Sequence, residues 1–337
     1  MGYPIAGMVF STKGEAVEGL WTGADTEPIR NYTPAAARER LQSIFHPQAP
    51  ATMPERGIDD LIGLKSVKTR LKAYTDLVRF NRMRGEHGLP QMPLSLHAMF
   101  LGSPGTGKTT VAKIIGRTLR DIGVLSSGHV VVRERATLLG KYYNSEAENV
   151  RKALDEASGG ILFIDEAYQL HQPDDPKDPG KFVIETLLTA LADDSDRDWM
   201  LILAGYSEPM KRMFDMNPGL RSRIPPGNIY HFDDFNPDEL MQIALAHLAR
   251  YRFTLTREAG MALKKRLDAD YAARRADFGN ARHVVSMIEN EILPSMARRL
   301  CNTNAPDAIS LSRIVAADIP AAQPLIAPAV RRLGFAV

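Results

Sequence analysis

The segment Gly102-Ser103-Pro104-Gly105-Thr106-Gly107-Lys108-Thr109 has the residue types and spacing to hold a chain of phosphates. Its glycines let successive backbone N–H groups curl around phosphate oxygens, and a helix starting at its end adds partial positive charge. Lys108 has the reach for the β and γ phosphates, and Thr109 offers a hydroxyl to Mg²⁺. With Pro104, Gly105, Thr106, Gly107 and Thr110 these residues form the expected cradle for the phosphates of a nucleotide. The setting supports the motif: an apolar run, His97 to Leu101, enters it and a helical stretch, Thr110 to Leu119, leaves it.

A second chemical pair follows the run Ile161-Leu162-Phe163-Ile164, which ends in Asp165-Glu166. At the carboxyl edge of a strand neighbouring the P-loop strand, Asp165 is expected to hold Mg²⁺ through water or through Thr109. Glu166 is the second carboxylate that hydrolysis by water requires, a group that orients and polarises the nucleophile. A nucleoside triphosphate and Mg²⁺ are therefore the expected cofactors, and hydrolysis the expected reaction.

These groups need a sheet and helices to position them. Short apolar runs at His97 to Leu101, Val130 to Arg133, Gly160 to Ile164, Met200 to Gly205 and Ile229 to Phe232 alternate with helical stretches. That pattern predicts an α/β fold, a parallel P-loop sheet flanked by helices. From Asn236 the periodicity becomes helical, at Pro237 to Arg250, Arg257 to Arg274 and Ala281 to Leu300, which predicts a small helical lid domain.

The expected divisions are an N-terminal extension and linker over 1–56, a nucleotide-binding domain over 57–235, a lid over 236–302 and a C-terminal tail over 303–337. The extension has one helical candidate, Pro34 to Phe45. The tail has a weak β signal at Ala308 to Leu311 and an apolar end at Val330 to Val337. An amphipathic helix begins near Leu64, with a basic face that reads as solvated surface.

Composition narrows the partners. Across 337 residues, 42 Lys and Arg stand against 40 Asp and Glu, so the net charge of +2 carries no global attraction to nucleic acid or to a membrane surface. Cys301 is the only cysteine, which rules out an intrachain disulfide and a cysteine-rich zinc site. No apolar run approaches the roughly 20 residues that span a bilayer, and no basic segment precedes an apolar stretch at Met1 to Ser11. The expected location is the cytoplasm.

From residue 57 to about 300 the chain resembles the AAA+ ATPases, and within them the branch of the red-type Rubisco activase CbbX and stage V sporulation protein K. The motifs that carry this are Leu61-Ile62-Gly63-Leu64, Gly102 to Thr110, Gly159 to Tyr168, Ile202-Leu203-Ala204-Gly205-Tyr206, Asn217 to Ile224, and Phe278-Gly279-Asn280-Ala281-Arg282.

The resemblance implies a homo-oligomeric ring, a hexamer, with ATP at subunit interfaces and a pore that pulls on a protein client. It makes Arg223, or alternatively Arg221, an arginine finger acting on the neighbouring subunit, and Arg282 the sensor that reaches nucleotide from the same subunit. Ile62 and Gly63 would line the adenine pocket, and the polar residue after the fourth strand would be Tyr206 or Ser207. Lys141, Tyr142 and Tyr143 stand where such proteins carry their substrate-gripping pore loop, although Asn144 replaces the glycine common there.

Three functions fit these residues. One is a remodeller of a protein client, Rubisco-like or a secretion or assembly component. A second is a nucleic-acid-associated ATPase, for which there is no strong signal in charge. A third is an ATP-gated assembly scaffold, against which Glu166 and Arg223 argue. Residues 1–56 are the expected place for a partner-specific contact.

Overall fold

The computed structural model describes residues 57–139, 145–170, 172, 175, 178–192, 198–275, 277–301, 303 and 306–321, all within one unit, Gly57–Val337. The helical candidate at Pro34 to Phe45, the loop residues Lys141, Tyr142 and Tyr143, and the apolar end of the tail lie outside the described residues.

Five strands form one parallel sheet: β1 (Ala98–Gly102), β2 (Val130–Arg133), β3 (Ile161–Ile164), β4 (Met200–Gly205) and β5 (Ile229–Phe232), in the order β2-β3-β4-β1-β5. The inner strands β1, β3 and β4 are continuously apolar because helices cover both faces, whereas the edge strands carry Arg133 and His231. Successive side chains point to opposite faces, so Met99, Leu101, Leu162, Ile164, Leu201 and Leu203 enter one core, while Ala98, Phe100, Ile161, Phe163, Met200 and Ile202 enter the other. The expected first strand is displaced by one residue. His97 stays outside it, buried, and its Nδ1 accepts from the Leu201 amide at 3.0 Å.

Helix α1 (Lys65–Glu86) buries Val67, Leu71 and Val78 against the second of these cores, and α2 (Lys108–Ile122) packs there through Val111, Ala112, Ile115 and Leu119. The opposite face receives α3 (Arg135–Leu139), α4 (Glu146–Glu156) and α5 (Gly180–Ala192), followed after β4 by α6 (Ser207–Met216) and α7 (Pro218–Arg223).

The lid has its own core, built on α8 (Pro237–Arg250), α9 (Arg257–Ala272), α10 (Ala281–Met287) and α11 (Leu293–Cys301). Asn236 starts α8 with a full capping box, its side chain accepting from the Glu239 amide while Glu239 accepts from the Asn236 amide. The expected continuous helix from Ala281 to Leu300 contains a π-helical turn, Ile288–Ile292, between α10 and α11. Pro294 accounts for it: proline has no N–H and its ring crowds the carbonyl four residues back, so the ladder shifts register there.

The weak β signal at Ala308 to Leu311 is overturned. Those residues form a short helix, α12 (Ala308–Ser312), because the Asp307 carboxylate caps the Ser310 amide at 2.8 Å. The strand is β7 (Arg313–Ile314), which pairs in parallel with β6 (Thr254–Leu255) of the lid. Arg299 then grips Asp318 through two hydrogen bonds of 2.7 Å.

Candidate functional site

The P-loop leaves the carboxyl end of β1, a central strand, and turns into α2 through two glycines in left-handed conformations, Gly105 (φ 70°) and Gly107 (φ 93°). Thr106 is fully buried and pins the turn by donating to Ser103 O at 2.9 Å. Lys108 Nζ donates to the loop carbonyls of Gly102 (2.7 Å) and Ser103 (2.8 Å). Burial pushes the Lys108 ammonium below its usual range, opposed chiefly by the Asp165 charge. An ammonium that is partly desolvated and held by neutral carbonyls gains from a phosphate oxygen, which is a charged and stronger acceptor.

Asp165 and Glu166 follow β3 and share a cavity of about 570 Å³ with Pro104, Gly105, Gly107, Lys108, Thr109 and Thr110. The sequence places Asp165 on a strand neighbouring β1; the observed order corrects that, because β4 stands between β3 and β1. The same order explains Tyr206. It follows β4 directly, so it enters the cavity between the carboxylates and the P-loop, whereas Ser207 opens α6 and is not among the lining residues. Burial raises the Tyr206 phenol, with Glu166 the next cause, so it stays a proton-bearing hydrogen-bond donor near neutral pH.

Glu166 has φ 47°, a left-handed conformation that costs a non-glycine residue about 1–3 kcal/mol and is tolerated where surrounding structure holds it. Its carboxylate accepts from Gln169 Nε2, and Asp165 accepts from the Glu166 amide at 3.0 Å. Gln169 is itself held, since its carbonyl accepts from Arg135 Nη1 at 2.6 Å. Arg135 Nη2 pairs with the buried Asp178, also at 2.6 Å. Burial raises Asp178, but hydrogen bonds from Arg135 and from the Gly180 and Gln172 amides outweigh it and hold the carboxyl below its usual range.

The lid closes the cavity with one helical face. Arg282, Val285, Ser286, Glu289 and Asn290 all line it. Of these the motifs identify only Arg282. The other four follow it by three, four, seven and eight positions, a stripe legible as one helix face but carrying no sign of what that face meets.

Ile62 and Gly63 are not among the residues lining this cavity. Gly63, at φ 64°, packs on the start of the lid, where an added Cβ would stand 2.7 Å from Glu239 Oε1 and 3.1 Å from Phe235. Phe235 and Glu239 line a second cavity together with Leu64 to Val67. Arg221 and Arg223 are also not among the residues lining the phosphate cavity. Arg221 is exposed and paired with Asp215 at 2.5 Å, and Arg223 Nη1 donates to Gly219 O at 3.0 Å. Among the described residues no cluster of three or more His, Cys, Asp or Glu could hold a metal by itself. Thr109 and Asp165, facing one phosphate cavity, are the oxygen donors that suit a cation shared with substrate phosphates.

A parallel sheet with a P-loop on a central strand, a carboxylate pair facing it and a helical lid over both define a P-loop nucleoside triphosphatase. Comparison with known proteins agrees. Residues 98–226 match the ATPase family associated with various cellular activities (AAA), and residues 236–327 match the AAA lid domain.

The chain is 37% identical to the plasmid protein CbxX of Cupriavidus necator, over 78% of this chain and 82% of that protein. It is 38% identical to stage V sporulation protein K of Bacillus subtilis (73% and 76% covered). It is also 38% identical to the chloroplastic ribulose bisphosphate carboxylase/oxygenase activase of Cyanidioschyzon merolae (68% and 77% covered). The protein belongs to the AAA ATPases, in the branch of CbbX and stage V sporulation protein K, and is an ATP hydrolase.

Proposed function

We propose that the chain is one subunit of a homo-oligomeric ring, a hexamer, that hydrolyses Mg²⁺-ATP at subunit interfaces and remodels a protein client gripped by Lys141, Tyr142 and Tyr143. Lys108 and the P-loop amides bind the phosphates, Glu166 orients and deprotonates water, and Arg282 contacts nucleotide from the lid. Thr109 and Asp165 would hold Mg²⁺, which neutralises charge on the transferred phosphoryl group. Arg223, or Arg221, serves the neighbouring subunit's site, a role compatible with neither lining its own cavity. Tyr206 donates its phenol hydrogen to substrate or to attacking water.

The observation that carries the remodelling reading is Arg135. It is the first residue of α3, the helix that leads into the Lys141–Tyr143 segment, and it holds the Gln169 carbonyl in the turn that also secures the Glu166 carboxylate. These contacts give a change at Glu166 a route to α3, the helix that precedes the Lys141–Tyr143 segment in sequence. Aromatic side chains suit such a loop because they offer large apolar area at low entropy cost, without demanding one client sequence. The similarity to Rubisco activase makes red-type Rubisco, carrying an inhibitory sugar phosphate, the first client to try. The cytoplasm is the compartment in which such a client would be met.

The test compares ATP turnover with release of the sugar phosphate for the wild type and Tyr142→Ala. Turnover is expected near wild type and remodelling is expected to be lost. Wild-type remodelling by the variant overturns the gripping role. If the wild type is inactive on Rubisco, capture with Glu166→Gln in ATP supplies the client for the same comparison.

A further inference from the structure

We propose that Asn280 is the positioning residue that ties Arg282, and with it the lid, to the conformation of the P-loop. The proposal rests on the reading of Arg282 as the lid group that contacts nucleotide. Asn280 is fully buried and joins three segments distant in sequence. Its Oδ1 accepts from the Phe235 amide at 2.9 Å, on the connection between β5 and the lid. Its Nδ2 faces Asp234 Oδ1 (2.9 Å), Phe278 O (3.0 Å) and Pro104 O in the P-loop (3.3 Å).

Only a side-chain amide offers an acceptor to an N–H on one side and two hydrogens to acceptors on the other. Aspartate has the shape but would turn a carboxylate oxygen toward three acceptors. The backbone supports the same assignment. Asn280 sits at φ 48°, ψ −122°, a conformation suited to glycine, and its side-chain bonds hold it there.

The P-loop contacts say what is transmitted. The Ala281 amide donates to Gly105 O at 3.2 Å, beside the Asn280 bond to Pro104 O, and Arg282 follows on the cavity wall. In a trans peptide the carbonyl and the next residue's N–H share one plane and point in opposite directions. The carbonyls of Pro104 and Gly105 therefore move with the N–H groups of Gly105 and Thr106, the donors that a P-loop turns toward phosphate. The lid thus holds the carbonyl ends of these two peptides, Pro104 O and Gly105 O. Reorienting either peptide for a γ-phosphate reorients the first turn of α10, and Arg282 with it.

The test measures ATP and ADP affinity by calorimetric titration of the full chain, for wild type, Asn280→Gly, Asn280→Asp, Arg282→Ala and Asn280→Gly/Arg282→Ala. Glycine accepts the backbone and removes the side-chain bonds, and aspartate keeps the shape while reversing the donor side. Arg282→Ala is expected to lower the ATP-to-ADP affinity ratio about 10-fold, within the range of ordinary allosteric couplings. Either Asn280 variant should fall within about twofold of that loss, and the double variant should fall no further.

A merely structural role weakens both nucleotides alike and leaves the ratio intact. That result, or losses that multiply in the double variant, overturns the proposal. A wild-type ratio in Arg282→Ala instead defeats the reading of Arg282 itself, an outcome distinct from failure of Asn280 alone. Should Asn280→Gly fail to fold, Asn280→Asp and its double variant with Arg282→Ala read the same quantity.

Discussion

Gly105 of the P-loop lies so close to Gly279 of the lid that a Cβ on Gly105 would stand 2.0 Å from the Gly279 carbonyl oxygen. The contact joins backbone to backbone, so no side-chain rotation can relieve it. Gly88 offers a control, at the same φ of 70° but with nothing within 4 Å of an added Cβ.

Gly105→Ala is expected to cost more than about 2 kcal/mol of stability, and Gly88→Ala only the left-handed backbone penalty of about 1 kcal/mol. Urea unfolding of both variants checks the difference. Equal losses would mean that the lid yields at Gly279.

The pair Lys108→Ala and Glu166→Gln separates binding from chemistry. Lys108→Ala should weaken ATP binding about 100-fold, because it removes the ammonium that neutralises phosphate. Glu166→Gln should bind ATP normally and lose hydrolysis by about 100-fold or more, since an amide cannot take a proton from water. Titration and steady-state turnover of each variant decide between the outcomes, and turnover within tenfold of wild type removes Glu166 from the mechanism.

Arg223→Ala should retain ATP binding and lose hydrolysis about 1,000-fold, within the range that arginine fingers contribute. Mixed with Glu166→Gln subunits it should regain activity, because some interfaces then pair an intact Arg223 with an intact Glu166. No recovery in mixtures shown to exchange subunits counts against action across an interface. An equal loss in Arg221→Ala would leave the two arginines undivided.

Asp178 predicts a pH dependence. Its carboxyl is held below the unfolded-chain value of about 4, so its contribution is complete above that pH and is lost as pH falls through the lower folded value. Asp178→Asn should therefore cost about 2 kcal/mol at pH 7, by leaving Arg135 without its charged partner. The gap to wild type should narrow as the pH falls from about 4 toward 2. Unfolding curves across that range test it, and a gap independent of pH would assign the loss to packing.

Where the chemistry depends on neighbours in sequence, it was legible in the residues. The P-loop needs its glycines, Lys108 and Thr109 in one strand–loop–helix, and Asp165 with Glu166 needs only a buried strand before it. Four of the five observed strands coincide with, or fall within, their apolar runs and the fifth begins one residue later, because a parallel sheet covered on both faces demands continuous apolar segments. Local propensity misled at Ala308 to Leu311, where the Asp307 cap outweighs the β signal.

What the amino-acid sequence determined by itself was two local clusters with the chemistry for phosphate and for water, Gly102 to Thr110 and Asp165 with Glu166, since within each the groups lie a few residues apart. Tertiary structure alone decided the rest. Strand order put β4 between β3 and β1 and so admitted Tyr206 rather than Ser207 to the cavity. Chain crossing brought Asn280 to Pro104, 176 positions away, and Arg135 to Gln169, 34 positions away. The orientation of α10 and of the π-helical turn that continues it brought Val285, Ser286, Glu289 and Asn290 onto the cavity. Such contacts leave no local pattern, because a hydrogen bond or packed face between distant segments constrains their meeting in space without imposing any spacing along the chain.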